Sequence, residues 1–259
     1  MDRSNCAIVT GAAAGMGREL AKAFSSRGLS VVLVDRNDAG LAETEAMCVE
    51  LGAKVLSVTA DLLDPGTTNR IVKEALARFD RVDILVNCAA IGEAEAFFDM
   101  SRDSWKRTLE INVLATVTLT VGVADVMRAR GIEGRIVNIT SPASRMALPN
   151  YAAYSASKAA VDSFTRAASV ELARYGIKVN SVAPGMMDTA MQRLVEADLA
   201  RAEGRDDIGK FLDERTQRVP LGRRAEVSEI VDCVLWLALD APDYVTCSRL
   251  NVSGGLDKD

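Results

Sequence analysis

Histidine is absent from all 259 residues. That excludes every mechanism needing an imidazole base, Ser-His-Asp hydrolysis among them, and zinc held by histidine. Acid–base chemistry must fall to Tyr, Lys, Cys, Asp or Glu. The five cysteines, Cys6, Cys48, Cys88, Cys233 and Cys247, are odd in number, widely spaced and without a Cys-x-x-Cys pair. This speaks against a disulfide framework and a thiolate metal site, so reduced thiols in a cytoplasmic protein, with no metal, are expected. Basic excess is lacking too. A net charge of −5 and a pI near 5.1 repel phosphate backbones, so no nucleic-acid partner is expected. No apolar run reaches membrane-spanning length. Met1-Asp2-Arg3-Ser4-Asn5 leads straight into a strand-like run without a signal-peptide core. Neither membrane nor export is expected.

What is present is a globular composition, 49% hydrophobic and 26% charged, long enough to bury a full core. Short Val/Ile-rich runs alternate with helical patterns. Strands are read at Cys6–Thr10, Ser30–Val34, Lys54–Val58, Val82–Val86, Arg135–Ile139, Lys178–Val182 and Arg249–Val252. Helices are read at Gly15–Arg27, Ala39–Leu51, from Asp64-Pro65 (Asp as N-cap, Pro in the first turn) to Phe79, from Ser101 to Arg130, at Tyr151–Tyr175 and at Ala225–Leu239. Residues 186–218 read as irregular and partly helical. Near-continuously apolar strands are buried on both faces, hence parallel and covered by helices. The fold class is therefore α/β, a doubly wound Rossmann-type parallel sheet with helices on both faces. Without repeats or a linker, one domain spanning 1–259 is expected, residues 186–218 forming a substrate-binding lid.

The first strand runs into Thr10-Gly11-Ala12-Ala13-Ala14-Gly15-Met16-Gly17. Gly11, Gly15 and Gly17 sit where a strand turns into a helix. There, residues without Cβ permit a tight turn and close approach of a pyrophosphate to free N–H groups. A purely structural glycine turn is the alternative. Asp35 ends the second strand, where a carboxylate can accept from both adenosine ribose hydroxyls and repel a 2′-phosphate. The neighbouring Arg36 pulls the other way, toward NADP. NAD is the expected cofactor, NADP the lesser one. Asp61, in Ala60-Asp61-Leu62, is either an acceptor for the adenine amino group or an acid preceding a helix.

Tyr154 and Lys158 are four apart on a helix, which puts both on one face. An ammonium near a phenol favours the phenolate, so the pair can shuttle a proton without histidine. A solvated helix face is the bland alternative. Ser141 follows the Arg135–Ile139 strand, where a hydroxyl can bond a substrate oxygen or cap a turn.

Taken in order, the glycine loop, Asp35, Asp61, Asn87, Asn112, Ser141, Tyr154, Lys158 and Pro184-Gly185 resemble the short-chain dehydrogenase/reductase family, over Ala7 to Gly255. The resemblance implies that Tyr154 is the general acid/base. It implies that Lys158 lowers the Tyr154 pKa and holds the nicotinamide ribose, that Ser141 polarises the substrate oxygen, and that Asn112 holds a water in a relay toward Lys158. It implies cofactor contacts at Gly11, Gly15, Met16, Gly17, Asp35, Arg36, Asp61, Leu62, Ala89, Tyr154, Lys158, Pro184 and Gly185. Asn87 would brace the sheet beside the cofactor, and the Met187 backbone and Thr189 hydroxyl would hold the carboxamide. Substrate contacts are implied at Ser141, Ala143, Tyr151, Met186 and Met191, in a region also including Pro142, Arg145, Asn150, Leu194 and Gly92 to Ala94. The implied activity is NAD-dependent interconversion of a small secondary alcohol, a polyol or sugar alcohol foremost, and its ketone, in a homotetramer. The alternatives are an NADPH-dependent 3-oxoacyl carrier-protein reductase and a non-catalytic dinucleotide sensor. Three departures stand out. Ala90 replaces a usual glycine, Cys247 another, and Ser253 a usual aspartate. Cys88 reads as a small core residue or as a thiol whose oxidation blocks the site. Arg145 is the one arginine expected near a substrate anion.

Overall fold

A computed structural model describes residues 5–257; residues 1–4, including most of the lead-in segment read above, and residues 258–259 lie outside it. Seven strands form one sheet: β1 Cys6–Thr10, β2 Ser30–Asp35, β3 Val55–Thr59, β4 Ile84–Asn87, β5 Arg135–Ile139, β6 Lys178–Pro184 and β7 Arg249–Val252. Every pairing is parallel, in the order β3-β2-β1-β4-β5-β6-β7. The order reverses between β1 and β4, the place where an open parallel sheet leaves a crevice at its C-terminal edge.

Alternation along the strands divides the core into two layers. Ala7, Val9, Val31 and Leu33 face one side and pack with Leu20, Phe24, Ile230 and Val234. Those helical residues come from α1 Gly15–Ser26 and from a helix at Val227–Leu235. Cys6, Ile8, Val32 and Val34 face the other side, against Ile71, Leu119, Val123 and Met127. The helices between these are α2 Asp38–Glu50, α3 Thr67–Phe79, α4 Arg102–Leu109, α5 Ala115–Arg130 and α6 Ala152–Ala173. Helices α7 Ala190–Ala202 and α8 Ile208–Gln217 precede α9, the Val227–Leu235 helix.

Two sequence expectations need correction. The helix expected from Asp64-Pro65 begins at Thr67, because Gly66 adopts φ +82° and breaks the chain direction after Pro65. The continuous helix expected from Ser101 to Arg130 is interrupted by a π-helical turn at Glu110–Leu114; such one-residue insertions leave the 3.6 periodicity almost intact. The stretch 102–130 is also long and apolar enough to cross a membrane by length and composition, although no uninterrupted apolar run reveals it. Its Leu119, Val123 and Met127 are spent on the core. Residues 186–218, read as irregular and partly helical, hold the two helices α7 and α8, N-capped by the side chains of Thr189 and Asp207. Their inner faces put Val195, Leu199, Ala200 and Phe211 against Tyr151 in a hydrophobic cluster of their own.

Ala90 is not among the residues with positive φ, so alanine costs no backbone strain there. Cys247 is, at φ +62°, which explains why a glycine is the commoner choice at such a position. Ser253 has a task of its own: its hydroxyl accepts from the Asp257 N–H at 3.2 Å.

Candidate active site

The glycine loop is built by close approach. A Cβ on Gly17 would lie 2.0 Å from the Gly11 carbonyl oxygen, and one on Gly11 would lie 3.1 Å from Ala89 Cα. Gly11 also holds φ +73°. Only glycine allows β1, α1 and the end of β4 to converge here. Above Gly15, by contrast, there is open space. Helix α1 starts with no side-chain cap and no acid in its first turn, so its N–H groups remain available to an anion. These features fit a dinucleotide pyrophosphate.

A cavity of about 140 Å³ continues from Gly11 past Asp35, Arg36, Asp61, Leu62 and Ala89 to Ala90. Asp35 is anchored by two backbone donors, Ala13 N at 3.1 Å and Asn37 N at 3.0 Å. Its carboxylate is thus oriented at the end of β2, while Arg36 is exposed. Asp61 accepts from Leu63 N at 2.9 Å, a local turn that leaves its second oxygen without a hydrogen-bond partner among the described residues.

A second cavity, about 210 Å³, begins at Ala90 and Met16 and runs over Ser141, Tyr154 and Lys158 to the lid. Ala143, Tyr151, Pro184, Gly185, Met186, Met187, Thr189 and Met191 line it. Leu194 points away and is 70% exposed. Asn150 and Glu93 line a separate small cleft, and Arg145 is not part of the main wall. The arginines that reach this cavity are Arg215 and Arg218 from α8 and its end.

Lys158 is buried and donates to the Ile139 carbonyl at 2.9 Å, with Nζ 5.7 Å from the centre of the Tyr154 ring. Burial pulls its pKa down to about 8, against small opposing contributions from Cys88 and Asp162. The Tyr154 phenol is pushed up by burial, opposed by a hydrogen bond with Ser141. The sequence expectation that the ammonium would lower the phenol is therefore corrected: in the free protein desolvation dominates. Cys88 lines the cavity, but burial raises its thiol to about 12. It is a protonated wall residue at neutral pH, so the alternative of a readily oxidised thiol is not supported.

The Lys158 shift has a sign that can be checked. Folded Lys158 releases its proton near pH 8, whereas an unfolded lysine keeps it to about 10.4. The fold thus carries a charge-burial cost at neutral pH that disappears as pH rises through this window. Relative to Lys158→Met, the wild type is expected to gain about 3 kcal/mol between pH 8 and 10.5, measured by urea unfolding of both proteins. A flat difference would mean that Lys158 keeps its proton in the folded state.

Asn112 sits on the π-turn, where the side chain is rotated off the regular helical track. Its Oδ1 accepts from Ile91 N at 2.8 Å, and its Nδ2 donates to the Ile91 carbonyl at 2.9 Å and to Ser157 Oγ at 3.0 Å. The amide therefore ties the segment after β4 to the helix carrying Tyr154 and Lys158. Asn87 lies behind the site: it donates to Thr120 and Asn138, and Asn138 donates to Thr165 on α6. These bonds link β4, α5, β5 and α6 in one buried chain.

Sequence reasoning missed several contributors. Thr10 Oγ1 accepts from both Cys88 N and Ala89 N at 3.0 Å, fixing the β4 exit; a hydroxyl closing an apolar strand was the available signal. On β7, Arg249 donates to the Ser141 carbonyl at 3.2 Å, to Asp162 at 3.2 Å and to Asp257 at 2.7 Å. Nothing in the local sequence marks it, because its partners lie 8 to 108 residues away.

A family model described as "Enoyl-(Acyl carrier protein) reductase" matches residues 11–257. The chain is 34% identical over 255 residues to sorbitol dehydrogenase of Cereibacter sphaeroides, covering 96% of each chain. Among solved structures, an actinorhodin polyketide ketoreductase with NADPH superposes with TM-score 0.93 at 34% identity, over 98% of both chains. An NAD+-bound xylitol dehydrogenase superposes with TM-score 0.93 at 29% identity, over 97% of this chain and 98% of the other.

Proposed function

Because the chain belongs to the short-chain dehydrogenase/reductase family, we propose that it interconverts a small secondary alcohol and its ketone with NAD(H), Tyr154 serving as acid and base. The observation that carries this is the convergence of Ser141, Tyr154 and Lys158 on one cavity that continues into the Asp35 end at Ala90. A sugar alcohol or other polyol is the leading substrate class, in keeping with the sorbitol and xylitol dehydrogenases among the similar proteins.

The glycine loop and the mouth of α1 would hold the pyrophosphate, Asp35 the adenosine ribose, Lys158 the nicotinamide ribose, and the Pro184–Thr189 segment the carboxamide. When bound, the dinucleotide supplies the hydride donor or acceptor. Ser141 donates to the substrate oxygen and holds it beside the Tyr154 hydroxyl. In reduction Tyr154 gives its proton to that oxygen; in oxidation it takes the alcohol proton. The raised phenol pKa makes Tyr154 a proton donor at neutral pH, so reduction is favoured there and oxidation gains as pH rises. Asn112 holds Ile91 and Ser157 in place and, with Lys158, forms the inner end of a proton path. The chain is read as one catalytic domain with residues 186–218 as its lid, in a cytoplasmic homotetramer. Exposed Val121 on α5 and Val170 on α6 give copies an apolar face to bury.

The cofactor choice rests on Asp35 over Arg36. Titration with NADH and NADPH, followed by nicotinamide fluorescence, is expected to show NADH binding at least about tenfold tighter, the Asp35 carboxylate repelling a 2′-phosphate. Tighter NADPH binding would reverse the assignment and bring forward a carrier-linked ketone, the reading that the NADPH-bound ketoreductase structure favours. Binding of neither would remove the dehydrogenase reading itself.

A further inference from the structure

The far end of the substrate cavity carries a charge pattern that a neutral alcohol does not use. Of the side chains lining it, Lys158, Arg215 and Arg218 are cationic and none is a carboxylate. Lys158 belongs to the reacting end, on α6. Arg215 lies on α8, and Arg218 just after it, at the lid.

Arg215 has one anionic neighbour, Glu196 on α7, with Nε 3.4 Å from Oε1. Glu196 is buried, and its carboxylate is already held by Arg224 at 2.9 and 3.0 Å. One buried anion thus faces two guanidinium groups, and the closer, two-pronged pairing belongs to Arg224. The Nη atoms of Arg215 have no hydrogen-bond partner among the described residues. Arg218 has no side-chain partner among them at all. Three other lid acids have cationic partners of their own: Asp198 pairs with Arg201, Asp188 with Arg193 and Glu214 with Arg205. Arg215 is near enough to the cavity wall to pull the Tyr151 hydroxyl down against burial, with Glu196 and Asp198 acting in the opposite sense.

The rest of the wall is mainly methionine, alanine, proline and aliphatic, with the hydroxyls of Thr140, Tyr151 and Thr189 and the amide of Gln192 as its other uncharged polar side chains. Thr140 is already engaged with the Val182 carbonyl and Thr189 with Gln192 N, so the many hydroxyl donors of a neutral polyol find few free acceptors away from Ser141 and Tyr154. An apolar body with a negative end matches it better.

We propose that the substrate bears an anionic group, a carboxylate or phosphate, at the end remote from the reacting carbon, and that Arg215, assisted by Arg218, holds it. The inference rests on the alcohol/ketone reading and, within it, moves the substrate class from the neutral polyol suggested by the similar proteins to hydroxy acids, sugar acids included, or alcohol phosphates.

The test uses three ketones with the same reacting group: 2-pentanone, 4-oxopentanoate and 4-oxopentyl phosphate. Calorimetric binding to the protein saturated with its preferred reduced nucleotide is measured beside turnover. An anionic ketone is expected to bind about tenfold or more tighter than 2-pentanone, the scale of a charge-assisted contact. That ratio should collapse toward one in Arg215→Met and fall in Arg218→Gln; the exposed, unpaired Arg218 keeps the test valid if Arg215→Met folds poorly. Preference for the carboxylate or for the phosphate identifies the group. Equal or weaker binding of both anionic ketones, binding of none of the three, or a ratio unchanged in both variants would overturn the inference. Absence of turnover for every ketone despite bound nucleotide would instead sink the oxidoreductase reading, while the binding ratio still decides the role of Arg215.

Discussion

Replacing Tyr154 with phenylalanine is expected to lower kcat by about 100- to 10,000-fold, the range for removing a positioned acid–base group. The reason lies in what the change leaves in place. The Tyr154 ring packs edge-on against Tyr151, centroids 5.3 Å apart at 81°, and a phenyl ring keeps that contact. Lys158 still donates to Ile139, and Asn112 still ties Ile91 to Ser157. What disappears is the hydroxyl that Ser141 bonds. With no histidine in the chain and Cys88 held as a thiol by burial, Lys158 is the one side chain of this cavity left to exchange a proton near neutral pH, and its Nζ is tied to the Ile139 carbonyl, 5.7 Å from the centre of the Tyr154 ring. Steady-state rates on any accepted ketone, beside NADH binding by fluorescence, separate the effects. A large kcat loss with binding retained supports the assignment. A rate within about tenfold of wild type would show that the proton travels another way.

Much of this was legible before any coordinates. The two-sided burial of β1, β2 and β4 announced itself as unbroken apolar runs, and the glycine loop lay at the one strand-to-helix turn where Gly11 and Gly17 leave no room for a Cβ. Tyr154 and Lys158 share a helix, so their spacing fixed a common face. The unread parts depend on contacts between distant segments. The π-turn that aims Asn112 changes the helix by one residue, too little to disturb a hydrophobic pattern. The direction of the Tyr154 shift follows from burial by the lid and β5, which a neighbouring lysine in the sequence does not reveal. Arg145 looked like the substrate arginine because it follows Ser141 closely, yet α8 delivers Arg215 and Arg218 from some 70 residues further on. Nothing in the local sequence sets Glu196, Arg224 and Arg249 apart, because their partners come from distant segments.

Arg249 carries the largest expected effect on stability. Its guanidinium is 11% exposed and stands between Asp162 and Asp257, which are 6% and 2% exposed. Substitution by methionine keeps much of the side-chain volume and removes the one cation between two buried carboxylates. Breaking such a pair from one side costs about 3–5 kcal/mol, because the remaining charges stay buried without a partner. Asp162 keeps donors in Ser144 and Ser181, which places the effect toward the lower end; the Asp257 carboxylate has no other side-chain donor among the described residues, which pushes it up. The consequence reaches the chemistry, since Arg249 also holds the Ser141 carbonyl and Asp162 lies one turn beyond Lys158 on α6. Arg249→Met should therefore lower the urea midpoint without changing the slope, and lower kcat through a displaced Ser141. Adding Asp162→Asn to Arg249→Met should return part of the lost stability, a coupling that a double-mutant cycle reads directly. A loss below about 1 kcal/mol, or strictly additive variants, would mean that solvent screens these carboxylates and that the C-terminal turn does not hold the catalytic serine in place.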